Sequence, residues 1–209
     1  MDITTRQDST RQDATTELAP VWRTVLAASY EALRNAASAV TPEQWRLPTP
    51  CAEWNVAQVA EHAAGDQRAY AAALGAGTGP AYDPFSPSGE IADGPVALIA
   101  AALDETAAAW ATVDDDTEAV PTPLPFGPLP TPVAAVLCAL DAAVHAWDIA
   151  VATGQPSPLT DELAAPILAA AQGRVEPLRQ WGAYGPVVDG DGGTATDRLL
   201  RYLGREPRR

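Results

Sequence analysis

Two imidazoles set the chemistry open to this chain. Histidine occurs at only two of 209 positions, His62 and His145, and neutral imidazole is both a common metal ligand and a common general base. Asp141 precedes His145 by four residues, so on a helix the two side chains leave one face about a turn apart. An imidazole from one helix, joined by an imidazole and a carboxylate from another, is a donor set that helix bundles build in their cores. Three nitrogen and oxygen donors leave a coordination position for water or substrate, as catalytic rather than structural sites do. Zn²⁺, Ni²⁺ and Fe²⁺ all suit that set. The plainer reading is a pair of hydrogen-bonded core histidines and an ordinary i,i+4 pair, and spacing alone leaves both open.

Other reactive residues fall around these. Asp148, three residues after His145, could orient a metal-bound ring through its second nitrogen, or equally pair with an arginine. Asp66, four residues after His62, is a candidate extra ligand, with a solvated acid as the plainer reading. Trp54 and Trp147 adjoin the ligand segments and could line a pocket wall, although packing is the ordinary role for both. Cys51 lies in a loop close to the helix bearing His62, where it could form part of the same wall or a weak Cys–His pair. Cys138 falls inside an apolar run and reads as a buried, inert thiol. No Gly-x-Ser-x-Gly elbow accompanies the histidines, which argues against a serine hydrolase.

The elements that must carry these residues are helical. Apolar residues Leu18, Val21, Trp22, Val25, Leu26, Tyr30 and Leu33 recur at spacings of three and four and predict a first helix over 17–39, with Pro20 in its first turn. Thr41-Pro42-Glu43-Gln44 resembles a capping box that opens a short turn. Asn55 is a natural N-cap for a helix over 56–74, which carries His62, and the Gly- and Pro-rich stretch 76–93 reads as a surface loop. Pro95 opens a helix reaching 113. Six prolines between Val120 and Pro132 exclude a helix there and leave room for a small hairpin at Phe126-Gly127. A fourth helix over 133–152 carries Asp141 and His145 and stops at Gly154, with shorter helices expected over 161–172 and 196–203. Four long amphipathic segments with few strand signals predict an all-α fold, an antiparallel four-helix bundle over 17–155. Residues 1–16 read as a disordered polar tail, and 156–209 as a helical extension packed on the bundle.

Composition narrows the function. Thirteen cationic residues, all arginine, face 27 acidic ones, a net charge of −14. That balance argues against nucleic-acid or anionic-membrane partners, which need clustered cations. The longest apolar runs, Val96–Leu103 and Val133–Leu140, fall well short of the ~20 residues of a membrane span. The polar N-terminus lacks the apolar stretch of a secretory signal, and two cysteines make no disulfide framework, so a cytoplasmic protein is expected.

Three segments point to a family. Pro50-Cys51-Ala52-Glu53-Trp54-Asn55-Val56 followed by His62 resembles the P-C-x-x-W-x-V … H entry to the second helix of the DinB-like superfamily. Asp141 through Ala150, then Ala152-Thr153-Gly154, is similar to the E/D-x-x-x-H-x-W-D-L-A-x-A-T-G segment of the group that shares the N-terminal domain of mycothiol-dependent maleylpyruvate isomerase. Asp197-Arg198-Leu199-Leu200 with Leu203-Gly204-Arg205-Glu206-Pro207 resembles the tail of small actinobacterial members. The resemblance runs over roughly 17–209. It implies a DinB-like bundle holding a divalent metal, zinc foremost with nickel or iron as alternatives, through His62, Asp141 and His145. The isomerase branch has glutamate at the middle position; Asp141 is one methylene shorter. The resemblance further implies a thiol-dependent isomerase or transferase, with mycothiol as its thiol and a small molecule as substrate. A homodimer is the expected assembly. The alternatives are a non-catalytic small-molecule-binding bundle and a regulatory bundle whose histidines are merely packed.

Overall fold

The computed structural model describes residues 14–51 and 53–207. The fold is all-helical: α1 (Trp22–Ser38), α2 (Val56–Ala73), α3 (Pro95–Trp110), α4 (Thr131–Thr153), α5 (Asp161–Ala171), α6 (Val175–Arg179) and α7 (Ala195–Tyr202), with a 3₁₀ turn at Gln44–Arg46. Among the described residues there is no β-strand. The expected hairpin reduces to one antiparallel bridge, in which Val120 and Leu129 exchange N–H···O bonds of 2.8 and 3.0 Å.

The first helix differs from its sequence pattern. Residues 14–18 are helical and Leu18 is fully buried, but the chain turns at 19–21 before α1 begins at Trp22. Pro20 lacks an N–H and crowds the preceding turn, so the apolar stripe continues across a backbone break. Most of the polar tail expected over 1–16 lies outside the described residues.

The other helix boundaries follow local chemistry. Asn55 caps α2 in a full capping box: its side chain accepts from the Gln58 N–H, and the Gln58 side chain accepts from the Asn55 N–H. Thr194 caps α7 in the same reciprocal manner with Asp197, while Thr160 caps α5 through its hydroxyl alone, accepting from the Leu163 N–H. Gly154 ends α4 at φ 74°, a left-handed conformation open to glycine. Pro166 lies inside α5, which runs through it. The five-residue α6 had no clear periodic signal in the sequence.

α4 is the central rod. Every residue from Thr131 to Ala150 is buried. Its 23 residues are long and apolar enough to cross a membrane by length and composition, yet here the whole apolar stretch is wrapped by protein. α4 packs on α1, α2 and α5, while α3 packs on α1 and α2. Contacts fix the directions. Tyr30 meets Cys138 and Ala36 meets Gln155, so α1 and α4 are parallel. Trp22 meets Trp110 and Arg34 meets Asp104, so α1 and α3 are antiparallel. His62 faces Asp141 while Gln67 reaches Cys138, which makes α2 and α4 antiparallel. Gln67 meets Thr106 and Tyr70 meets Trp110, so α2 and α3 are parallel.

The bundle therefore runs up, down, down, up. Two consecutive parallel helices require a connection that travels back along the bundle. That is the work of residues 74–94, and their path takes them past the middle of α2. Tyr82 donates to the Glu61 carbonyl, Gln58 donates to the Pro87 carbonyl, and the Glu61 carboxylate accepts from the Gly89 N–H at 2.6 Å and from the Ser88 hydroxyl. Gly65 permits the approach, since a Cβ there would lie 2.9 Å from Pro84 Cγ. The segment is thus a fixed wall on α2.

At the other end of the chain, α5 packs on α4 and α7 packs on α5. The residues after α7 then turn inward and bring Arg205 into the protein, 8% exposed.

Candidate metal centre

His62 on α2 and Asp141 and His145 on α4 converge, and all three are buried. One donor atom from each lies within 4.8 Å of the other two. Asp141 Oδ1 stands 3.7 Å from His62 Nε2 and 3.4 Å from His145 Nε2. Two bonds of ~2.1 Å at a tetrahedral angle place donor atoms about 3.4 Å apart, so the carboxylate oxygen sits at ligand spacing from each imidazole. The rings approach edge to face with centroids 4.8 Å apart.

Each ring has its other nitrogen engaged. His62 Nδ1 is 2.8 Å from the Pro84 carbonyl, which can only accept, so Nδ1 carries the proton and the Nε2 lone pair faces Asp141. His145 Nδ1 is 3.0 Å from Asp148 Oδ2, and the same logic turns its Nε2 toward Asp141. Once His145 gives up its Nε2 proton, two imidazole nitrogens and one carboxylate oxygen face a common point, a donor set fitted to a divalent ion.

The electrostatics divide the two histidines. Burial, reinforced by the neighbouring His145 charge, lowers the His62 pKa to about 4, so it is neutral near pH 7. Burial also opposes charge on His145, but the Asp141 carboxylate and hydrogen bonds to Asp141 and Asp148 outweigh it and lift the pKa to about 10. Asp141 is held below the usual carboxylate range: burial pushes it up, and His145 more than reverses that. Its Oδ2 also lies 3.5 Å from the Gln67 side-chain amide.

Asp148 is fully buried and bridges two cations. Arg205 Nε donates to Oδ1 at 2.9 Å and Nη2 to Oδ2 at 2.7 Å, while His145 holds Oδ2 from the other side. Burial alone would raise this carboxyl; Arg205, followed by His145, brings it down to about 2. Arg205 and Pro84 are the contributors that sequence reasoning missed. Arg205 stood within the tail motif Leu203-Gly204-Arg205-Glu206-Pro207, a signal with no role attached, and Pro84 acts through a backbone carbonyl that no residue type announces.

The remaining candidates fall in different places. Trp54 lies against His62 with centroids 4.6 Å apart, and Phe85, 62% exposed, meets the same ring edge-on at 5.7 Å. Cys51 is half-buried, and burial raises its thiol pKa, with His145 opposing. Trp147 is buried within the apolar core. Asp66 is only partly solvated, at 28% side-chain exposure, and its Oδ2 lies 3.9 Å from His62 Nε2. Its pKa is raised by burial and then by the Asp141 charge. Asp66 and Asp141 together line a cavity of about 40 Å³ whose wall includes Tyr70 and Tyr184, room for a few waters.

The comparisons with known proteins agree with this architecture. Two uncharacterized proteins from two strains of Mycobacterium tuberculosis are each 33% identical over 173 residues, covering 81% of this chain and 89% of the relative. No solved structure matches the chain. The family model for the mycothiol maleylpyruvate isomerase N-terminal domain matches residues 26–150, a span that starts in α1, ends in α4 and includes all three converging side chains. With that match over more than half its length and those relatives, the chain belongs to the mycothiol maleylpyruvate isomerase N-terminal domain family, within the DinB-like superfamily.

Proposed function

We propose that this protein is a metal-dependent, thiol-assisted isomerase or transferase acting on a small electrophilic or carboxylated molecule. The observation that carries the reading is the convergence of the two Nε2 atoms on one buried carboxylate oxygen at ligand spacing, with both Nδ1 atoms already committed. An Asp141–His145 ion pair accounts for one of these approaches, but not for the neutral His62 ring that turns its Nε2 to the same oxygen. Zinc is the foremost ion, with nickel and iron as alternatives, and the family's name supports mycothiol as the thiol.

A divalent ion at this centre would supply the positive charge that keeps a coordinating thiol ionised at neutral pH. The protein's own residues do the rest. Pro84 and Asp148 hold the two rings in register. Trp54 and Phe85 flank His62 and limit water there. The cavity beside Asp141 is far smaller than the ~300 Å³ of a typical ligand pocket, so this reading lets only a small reacting group approach the ion from that side. The same proposal places the protein in the cytoplasm, where low-molecular-weight thiols stay reduced, as a homodimer with no nucleic-acid or membrane partner.

The test is elemental analysis of untagged protein, followed by a thiol-plus-electrophile assay comparing mycothiol with glutathione. About one divalent ion per chain is expected, together with turnover that His145→Ala abolishes along with the metal. Turnover that persists in metal-free protein refutes the mechanism. Stoichiometric metal with no turnover of any electrophile tried would favour a binding protein instead.

A further inference from the structure

α2 and α4 carry the same two residue types in mirror order: His62 then Asp66 on α2, Asp141 then His145 on α4, each pair four residues apart. Because the helices are antiparallel, this order sets imidazole beside imidazole and, one turn along, carboxylate beside carboxylate. The distances follow. Asp66 Oδ2 stands 3.9 Å and Asp141 Oδ1 3.7 Å from the same atom, His62 Nε2. Both carboxylates line the one small cavity. Two carboxyl groups this close do not both ionise cheaply where water is scarce, and a divalent cation between them would let both do so.

We propose that Asp66 is a fourth protein donor to the ion held by His62, Asp141 and His145. The inference rests on the metal reading above and extends it. Two carboxylates balance the charge of a divalent ion in full, and two oxygen donors beside two nitrogens make the set harder, so Mn²⁺ joins Zn²⁺, Ni²⁺ and Fe²⁺ as an ion the site accepts. Reach favours the assignment: Asp66 lies one helical turn from His62 on the face turned to α4, and its side chain is partly exposed and meets Asp141 itself, with no arginine among the described residues holding it as Arg205 holds Asp148.

The experiment uses the full untagged chain, stripped with a chelator and reloaded with Co²⁺ or Zn²⁺. Wild type, Asp66→Ala and Asp66→Asn are compared by the visible Co²⁺ spectrum and by Zn²⁺ competition against a chromophoric chelator, with far-UV circular dichroism as the folding control. A tenfold or larger loss of Zn²⁺ affinity in Asp66→Ala is expected, with a changed Co²⁺ band position and intensity. The spectrum separates a ligand from a mere neighbour, because it follows the donor set. The isosteric Asp66→Asn keeps the test readable if the alanine variant fails to fold, and its Co²⁺ spectrum should also shift. Wild-type affinity and an unchanged spectrum in a folded Asp66 variant overturn the inference and leave the three-ligand reading intact. A wild-type protein that takes up neither ion overturns both.

Discussion

Asp148 and Arg205 form a two-point ion pair, Nε to Oδ1 and Nη2 to Oδ2, that ties the segment after the last helix to the C-terminal part of α4. The carboxylate it fixes is the one that accepts the His145 Nδ1–H. The pair is therefore a positioning device for a candidate ligand as well as a tertiary clasp. Asp148 is fully buried and Arg205 nearly so, so the two charges must be removed together or kept together.

Removing Arg205 alone strands a buried carboxylate. Arg205→Met should lower the unfolding free energy by about 3–5 kcal/mol in urea denaturation, the usual cost of breaking a buried pair from one side. Asp148→Asn combined with Arg205→Met should recover part of that loss. A penalty below about 1 kcal/mol for the single change would mean the clasp contributes little.

Acid should reach the same carboxylate. The Asp148 pKa lies below its unfolded value, at about 2, so its stabilisation is fully present above pH ~4 and is lost as pH falls through 2. Lowering the carboxyl from its ordinary value near 4 to about 2 corresponds to roughly 2.5 kcal/mol. Unfolding free energy measured from pH 5 to pH 2 should fall more steeply in wild type than in Asp148→Asn. Parallel curves would remove Asp148 from the account.

Metal uptake should release a proton. In the ion-free protein His145 holds its proton up to about pH 10, whereas His62, at about 4, is already neutral. A metal ligand must be deprotonated, so near pH 7 binding should expel about one proton per ion. Affinity should rise about tenfold per pH unit between roughly pH 6 and 9. Calorimetry in buffers of different ionisation enthalpy counts that proton, and uptake without proton release would contradict the assignment of His145.

The two thiols should differ in reach. Cys138 is fully buried, contacts Gln67 and Tyr30, and is pushed up to about 12, chiefly by burial. A thiol reagent at pH 8 should modify at most Cys51 in the folded protein and both cysteines after denaturation. A second fast-reacting thiol in native protein would mean that α4 opens readily.

What the sequence made legible was local. The i,i+4 spacing of Asp141 and His145, the Asn55 cap and the Gly154 stop each depend on residues within a turn of one another, and the helices carrying them begin and end close to the predicted places. His62 could be linked to the other two because a long helix in a four-helix bundle must turn its buried face inward. The contributions from 84 and 205 were not legible, since they depend on how an irregular segment packs against a helix remote from it in sequence. Periodicity carries no information about such packing. The break at Pro20 shows the converse: the apolar stripe of α1 reads continuously from Leu18, while the backbone does not.

The crossover between α2 and α3 divides labour within the centre. The donors ride on rigid helices whose register cannot shift without disrupting the core, whereas the aromatic edge of Phe85 belongs to an irregular segment pinned at Glu61, Gln58 and Gly65. Insertions or exchanges between those pins would reshape the approach to His62 and leave the donor spacing untouched. Entry to the centre can thus be altered in this fold without moving the three converging side chains.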